Sequence, residues 1–459
     1  MTQITEAPKK SGGIRDLGKM FGSGSGAKQL GILGALVVII IIFQVWTGGL
    51  TLTPGNLIAL VSQYSYILIL AIGMVMVIIA GHIDLSVGSV AAFSGIVVAS
   101  LMQNFNVPWP VAIVLGLVVG ALIGAWQGFW VAYVGVPAFI VTLAGMLIFR
   151  GGNQFIGNAN SVAVPKEFQF IGAGYLPEVG PDTGFNNLTL LLGLAVVVAV
   201  IWREFAARRT QAEMGSEMAP LWVSLVKLSV LVVATGYATF LFASGRVGTS
   251  FPISGIILGV LVLVYSFVTR NTIFGRHIYA VGGNSHAAEL SGVNSRRVNF
   301  FVMMNMSVLA SLAGMIFVAR STASGPQDGL NWELDAIAAV FIGGAAVAGG
   351  VGTVTGSIIG GLVMAVLNNG LQLVGVPSDR VQIIKGLVLL AAVAIDVWNK
   401  SQGRPSITGF LTRKRTGGAL TTSAVETPPV PRVQDDTNAL EPTVGASETN
   451  RPSSVTPNS

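Results

Sequence analysis

Few residues in this chain carry chemistry, and most of them sit inside apolar sequence. Asp84 is the sharpest case. It lies in Gly81-His82-Ile83-Asp84-Leu85-Ser86-Val87-Gly88, an interruption of a long apolar stretch. A carboxylate at membrane depth is costly unless it is paired or near water. One reading makes it a proton or cation site with His82 as relay. The other makes it a cap that accepts the N–H groups of Ser86 and Val87 at the start of a helix, and the spacing favours this second reading. Glu333 and Asp335 open another apolar segment, where carboxylates complement a helix dipole. Paired-carboxylate catalysis would need a nucleophile, a base or a metal cluster beside them, and the sequence offers none. Gln127, Asn368, Asn369 and Gln372 are amides on apolar segments. Each offers donors and acceptors to sugar hydroxyls along a pathway, and each suits an interhelical hydrogen bond equally well. His82, His277 and His286 are too scattered for a metal site, and there is no cysteine. Disulfides, thiol catalysis and Cys-ligated metals are therefore excluded.

Behind these residues stands one polar run, Phe274 to Arg297, with strong apolar segments on both sides. Gly282, Gly283 and Asn284 break the segment before it, and Asn284 or Ser285 can cap a new helix. Helix formers follow to Ser291, and Gly292 supplies a left-handed stop. Ala287, Ala288 and Leu290 offer a small apolar surface beside the charge of Glu289. Arg270, Arg276, Arg296 and Arg297 flank the run, which places it on the cytoplasmic side. It reads as a knob sized for the cleft of a soluble partner.

The order Gly275-Arg276-x-Ile278-Tyr279-Ala280-x-Gly282-Gly283-Asn284, then Ala287-Ala288-x-Leu290-Ser291-Gly292, resembles the coupling loop of bacterial sugar ABC importer permeases of the ribose/xylose type. Gly-x-Ile-Asp-Leu-Ser-Val-Gly-Ser at 81–89 resembles a signature of the same permeases, as does the region 333–352. The region 203–269 resembles the xylose-type branch more than the compact ribose type. The resemblance implies that Gly282, Gly283, Asn284, Ala287, Ala288, Glu289, Leu290, Ser291 and Gly292 dock on an ATP-hydrolysing subunit. It also implies that Asp84, Ser86, Gly88 and Asp335 belong to the fold of the translocation core. The implied partners are that ATPase, an extracytoplasmic sugar-binding protein and a second permease copy, with no nucleic acid. The implied cargo is a monosaccharide, xylose or a related pentose or hexose, moved by alternating access. The sequence departs from the family at His82, commonly Gly, and at Ala345-Ala346, often Thr-Ser.

Composition sets the frame for these elements. The 459 residues are 52% hydrophobic and only 10% charged, whereas a soluble domain carries roughly a quarter charged residues. The expected class is an all-α polytopic membrane protein of about 10–12 transmembrane helices. Met1 to Lys28 reads as a disordered cytoplasmic tail, 29–400 as the permease domain with its coupling loop at 270–297, and 401–459 as a second disordered cytoplasmic tail. Apolar segments lie near 29–47, 56–102 (two helices with a break), 109–132, 187–202, 221–244, 252–269, 298–319, 352–374 and 381–398. Those at 137–149 and 334–350 look too short to cross fully. Residues 150–186 form a polar loop, expected on the outer face. The basic residues put both termini inside, at a bacterial inner membrane.

There is also an internal echo. Val114 to Pro137 aligns with Val354 to Pro377 at a shift of 240, with Gly116/Gly356, Gly120/Gly360 and the tetrapeptide Val-Gly-Val-Pro coinciding. A duplication implies two related halves around a pathway, in parallel or inverted orientation. The chain has no Gly-x-x-x-x-Gly-Lys-Ser/Thr motif, so it binds no cofactor by this reading, and ATP, if used, binds the partner. The rival class is a secondary transporter driven by an ion gradient, with Asp84 as its first ionisable residue. An enzyme has no catalytic constellation to stand on.

Overall fold

The computed structural model describes residues 25–213, 221–246 and 248–401. The tails expected at 1–28 and 401–459 lie outside these residues, apart from Ser25–Lys28 and Ser401. The fold is all-α. Its helices are α1 (Ser25–Trp46), α2 (Pro54–Ile79), α3 (Val87–Phe105), α4 (Trp109–Phe129, prolonged by a π-turn over Trp130–Val134), α5 (Ala138–Ile156), α6 (Lys166–Ala173), α7 (Asn187–Glu213), α8 (Leu221–Ala243), α9 (Ile253–Asn271), α10 (Ile273–Gly283), α11 (Ser285–Leu290), α12 (Ser295–Ser321), α13 (Trp332–Ile342), α14 (Val354–Leu373) and α15 (Ser378–Ser401). Two short strands, β1 (Val162–Ala163) and β2 (Ala323–Ser324), pair antiparallel. Among the described residues nine helices are long and apolar enough to cross a membrane: α2 to α5, α7 to α9, α12 and α14. This is a multi-pass membrane protein.

Of the two segments that looked too short to cross, one differs from the sequence expectation and one matches it. The apolar run at 137–149 continues helically through Arg150, Gly151, Gly152 and Asn153 to Ile156 and is long enough to cross. Polar residues do not end it because they are used: Asn153 is buried and donates from Nδ2 to the carbonyl of Gly325 at 3.1 Å, and Gly152 lies under the ring of Phe93. The following loop is also less plain than expected. It carries β1 and α6, whose Phe168 is fully buried. The run at 334–350 stays short, as its sequence predicts. Its helix α13 has 11 residues and stops at Ile342, since Gly344, Gly349 and Gly350 all take positive φ. At 1.5 Å per residue α13 spans only about 16 Å. Trp332 at its start packs on Tyr66, midway along α2, at a ring distance of 4.5 Å. The helix therefore begins at membrane depth and covers about half the bilayer.

The echo is a structural repeat. Under the shift of 240, α2 falls on α12, α4 on α14 and α5 on α15, with half-helix α13 in the place of α3. The tetrapeptides fold alike. Gly135 and Gly375 have φ of 85° and 76°. The N–H of Val136 reaches the carbonyl of Trp130 at 3.1 Å, and that of Val376 reaches Leu371 at 2.9 Å. These are left-handed helix stops of one type, and Pro137 and Pro377 then start the next helices. Seven crossing helices, α2 to α5 and α7 to α9, separate the start of α2 from the start of α12. An odd number means the second copy runs the other way, so the repeat is inverted. Each copy also lends its first helix to the other: α12 packs on α3 and α4, α2 packs on α13 and α14, and α2 and α12 pack on each other.

Glycine makes that interlock possible. Lipid tails are as apolar as leucine, so helices in a membrane associate through close backbone approach rather than apolar burial. Gly116, Gly120, Gly124 and Gly128 form one ridge of α4 and lie against α12, where Ser311 donates to the carbonyl of Gly116 at 2.6 Å. Gly314 of α12 rests on the carbonyl of Ala91 in α3. A methyl group there has no room, whereas Gly259 of α9 faces open space. We expect Gly314→Ala to destabilise the protein by about 1–3 kcal/mol and Gly259→Ala to be neutral or stabilising by up to about 1 kcal/mol. Thermal unfolding of the two purified variants in detergent checks the opposite signs.

Candidate functional site

The knob builds itself from three side-chain caps. Thr272 opens α10 by accepting the N–H of Gly275 at 3.1 Å. Asn284 ends α10 and opens α11, accepting the N–H of Ala287 at 3.0 Å. Asn294 opens α12 by accepting the N–H of Arg297 at 3.0 Å. Such caps satisfy N–H groups that a helix leaves without partners. Gly292 has φ of 85° and turns the chain between the last two. The helical path runs on through Gly282 and Gly283 and breaks only at Asn284. Of the expected apolar surface, Ala287 and Leu290 are exposed, but Ala288 is buried within the protein's own core. His286, Glu289 and Ser291 are exposed beside them.

Gly282 and Gly283 are helical because another backbone must touch them. A Cβ on Gly282 would overlap the carbonyl oxygen of Ile79, the last residue of α2. That same oxygen accepts the N–H of Gly350 at 2.8 Å. Gly349 lies against both Gly282 and Gly81. Tyr279 of α10 donates its hydroxyl to the carbonyl of Gly352 at 2.7 Å, just before α14. Burial pushes the Tyr279 phenol above its ordinary pKa, partly offset by Arg270, so the hydroxyl stays a donor. The knob thus bears directly on the end of α2 in the first repeat and on the 343–353 segment in the second.

Asp84 is fully buried. Its Oδ1 accepts the backbone N–H of Ser86 at 2.8 Å and the Ser86 hydroxyl at 2.6 Å. Gln127, also fully buried, donates from Nε2 to the Ser86 hydroxyl at 2.8 Å. The three form one chain of hydrogen bonds at the start of α3, and Gly145 leaves room for it. No hydrogen bond joins His82 to Asp84 among the described residues. Gly88, one turn further, meets the carbonyl of Gly329 and the Oε2 of Glu333. The starts of α3 and α13 therefore meet backbone to backbone. Asp335 pairs with Lys385 of α15, whose Nζ lies 2.8 Å from Oδ2.

The remaining amides lie apart from this cluster. Asn369 is buried and exchanges two hydrogen bonds of 2.9 Å with Asn56 at the start of α2. Asn368 is buried and Gln372 exposed. Among the described residues no group of three metal-ligating side chains occurs. Lys385 and Tyr279 were not singled out by the sequence. A lone cation two turns into an apolar helix was the available signal for Lys385, and its partner lies 50 residues away.

The junction predicts its own sensitivity. Gly282→Ala forces a methyl group onto the Ile79 carbonyl, while Gly283→Ala meets nothing within 4 Å. We expect a loss of about 1–3 kcal/mol for the first and little change for the second, read as thermal unfolding of the purified protein.

With this geometry in hand, the comparisons are direct. The family model described as "Branched-chain amino acid transport system / permease component" matches residues 56–393. The xylose transport system permease protein XylH of Haemophilus influenzae is 41% identical over 372 residues, covering 81% of this chain and 96% of that protein. XylH of Escherichia coli K12 is 40% identical over 381 residues, covering 82% and 94%. The ribose import permease protein RbsC of Escherichia coli K12 is 35% identical over 376 residues, covering 82% and 94%. No solved structure matches the chain. Inverted repeats, two helix starts meeting backbone to backbone and a capped knob on the end of α2 are thus the form taken here by a family of transport components, and the chain belongs to that permease family and is not an enzyme.

Proposed function

We propose that this chain forms the translocation pathway of an ATP-driven importer for a monosaccharide of the xylose and ribose kind. The observation that carries the reading is the knob's seat. One exposed helical turn rests on both inverted repeats through backbone contacts at Ile79, Gly282 and Gly350. A soluble partner that moves the knob moves the end of α2 and the 343–353 segment together. The relatives similar over four-fifths of this chain are named as xylose and ribose permeases, although the family's description names branched-chain amino acids. A neutral polyol suits a core whose buried polar groups are mostly hydroxyls and amides.

In this reading the knob faces the cytoplasm, as Arg270, Arg276, Arg296 and Arg297 indicate. An ATPase subunit docks on Ala287, Glu289 and Leu290, since the chain has no phosphate-binding loop of its own. The loop carrying β1 and α6 then lies outside, where a sugar-binding protein delivers its cargo. A second permease copy completes the pathway, and both termini are cytoplasmic. Asp84 acts as a cap, because its Oδ1 is taken by the start of α3. The rival, ion-gradient reading would instead have Asp84 titrate during transport.

Leu290 is exposed at the knob's tip. The expected outcome for Leu290→Arg is loss of the co-purifying ATPase and of pentose uptake, with unchanged thermal stability. Uptake by ATP-supplied vesicles carrying the unaltered assembled transporter should stop with vanadate and survive an uncoupler. Uptake that survives vanadate and stops with the uncoupler would replace the ATP-driven reading by the ion-gradient one.

A further inference from the structure

Two cavities lie at membrane depth, and their walls differ. The larger, about 580 Å³, sits between α2, α7, α8, α9 and α14 behind residues such as Leu60, Leu192, Phe242 and Leu263. Its lining is almost wholly apolar, with Thr189, Thr235 and Thr239 as its only polar side chains among the described residues. The smaller, about 190 Å³, lies between α13, α14 and α15. Four of its lining side chains are polar: Asn331, Asp335, Gln382 and Lys385.

The polar wall of the smaller cavity is built in a specific way. Lys385 lies two turns into α15 and Asp335 in the first turn of the half-helix α13, and they pair across the cavity wall at 2.8 Å. An isolated ion at this depth is expensive, and such groups face one another, the bundle interior or a water-filled space. Asn331 precedes α13 with φ of 64°, and its side chain makes no cap bond. Among the described residues neither the Asn331 nor the Gln382 side chain has a hydrogen-bond partner, and both residues are exposed and line the cavity. Two free amides beside a charge pair present donors and acceptors together, without net charge. That combination suits vicinal hydroxyls, which give and take hydrogen bonds in pairs. Leu334 and Met364 supply an apolar wall for the C–H face of a ring. A single water needs about 10–15 Å³ on this scale of volume, so the space admits on the order of a dozen waters or one pentose ring.

We propose that the Asp335–Lys385 pair with Asn331 and Gln382 is a hydroxyl-binding subsite that a monosaccharide occupies on its way through the protein. The inference rests on the sugar-transport reading and adds to it a place of contact away from Gln127, Asn368 and Asn369. It makes α13 the helix whose start holds the solute and whose end leads into the 343–353 segment that meets the knob. The affinity is weak by design of the wall: few groups, one open side and no enclosing charge.

The natural absence of cysteine makes the test direct. Gln382→Cys is treated in the full assembled transporter with a charged, membrane-impermeant methanethiosulfonate, alongside Leu387→Cys, whose side chain lies exposed on the same helix. The expected result is rapid modification at position 382, slow modification at 387, and slowing at 382 by D-xylose or D-ribose but not by sucrose, which is too large for the space. The double variant Asp335→Leu/Lys385→Met in the Gln382→Cys background should still be modified. The pentose concentration that gives half protection should rise at least about tenfold. Modification at 382 as slow as at 387, or protection that no pentose confers, overturns the subsite. Protection unchanged in the double variant also overturns the role of the ion pair. Pentose uptake by the unaltered transporter is measured in parallel. Uptake without protection sinks this inference alone, while protection without uptake sinks the transport reading and leaves the subsite standing.

Discussion

The carbonyl oxygen of Ile79 is the atom on which the rest of the structure turns. It ends the most buried helix of the first repeat, accepts the N–H of Gly350 from the second, and is covered by Gly282 of the knob. Three chain segments meet there with no side chain between them. Side chains can change rotamer and absorb a displacement, whereas hydrogen-bonded backbone cannot without breaking the bond. Glycine is required at each contact because any Cβ would fill the space, and the same logic repeats along the Gly116–Gly128 ridge and at Gly314. In a bilayer, where apolar burial does not favour one packing over another, this close fit selects the arrangement.

The inverted repeat explains why the chain tolerates buried polar groups where it does. Where two copies run oppositely, corresponding helices can bring their N-termini together. The start of α3 carries Asp84 and Ser86, and the start of α13 carries Glu333 and Asp335. Each start exposes N–H groups that need acceptors. Asp84 supplies one internally at Ser86, and Gln127 extends the bond chain. Asp335 is instead drawn across to Lys385. The two starts are thus not equivalent: the first is tied by local hydrogen bonds to Oδ1 of Asp84, and the second opens on a cavity.

Much of this was legible in the sequence. Asn284 and Gly292 announced the knob because cap and stop residues act locally, within four residues of their own position. The Val-Gly-Val-Pro echo announced the repeat for the same reason. Its orientation was not legible, since that depends on whether 137–149 crosses, and Asn153 finds the partner that keeps its helix going only in the loop at Gly325. That 334–350 does not cross was legible, but the stop of its helix at Ile342 was not, because glycine has two uses that composition does not separate. Gly282 and Gly360 are helical and give room to a neighbouring backbone, while Gly344 and Gly349 have positive φ and break the chain. Ala288 looked like surface by its neighbours and is core by its position on the turn. Lys385 showed only as a cation inside an apolar helix, and its pairing with Asp335, 50 residues away, left no local trace.

The two faces of the molecule are joined by bonds of different kinds, and that difference suits a device driven from one side. On the knob face, repeats and knob share the Ile79–Gly350–Gly282 backbone contact and the Tyr279–Gly352 bond. On the other face, the loops after α5 and α12 meet through the two-residue β1–β2 ribbon, and the helix ends meet through the Asn56–Asn369 amide pair. Neutral hydrogen bonds of this sort contribute about 0.5–1.5 kcal/mol each, so a few of them open at modest cost. In the proposed ATP-driven cycle a pull on the knob would move α2 and the 343–353 segment together, and the contacts at the far ends of α2 and α14 would separate or close in response. Inverted symmetry makes the two closures alike in shape, and the knob, present on one face only, makes them unlike in control.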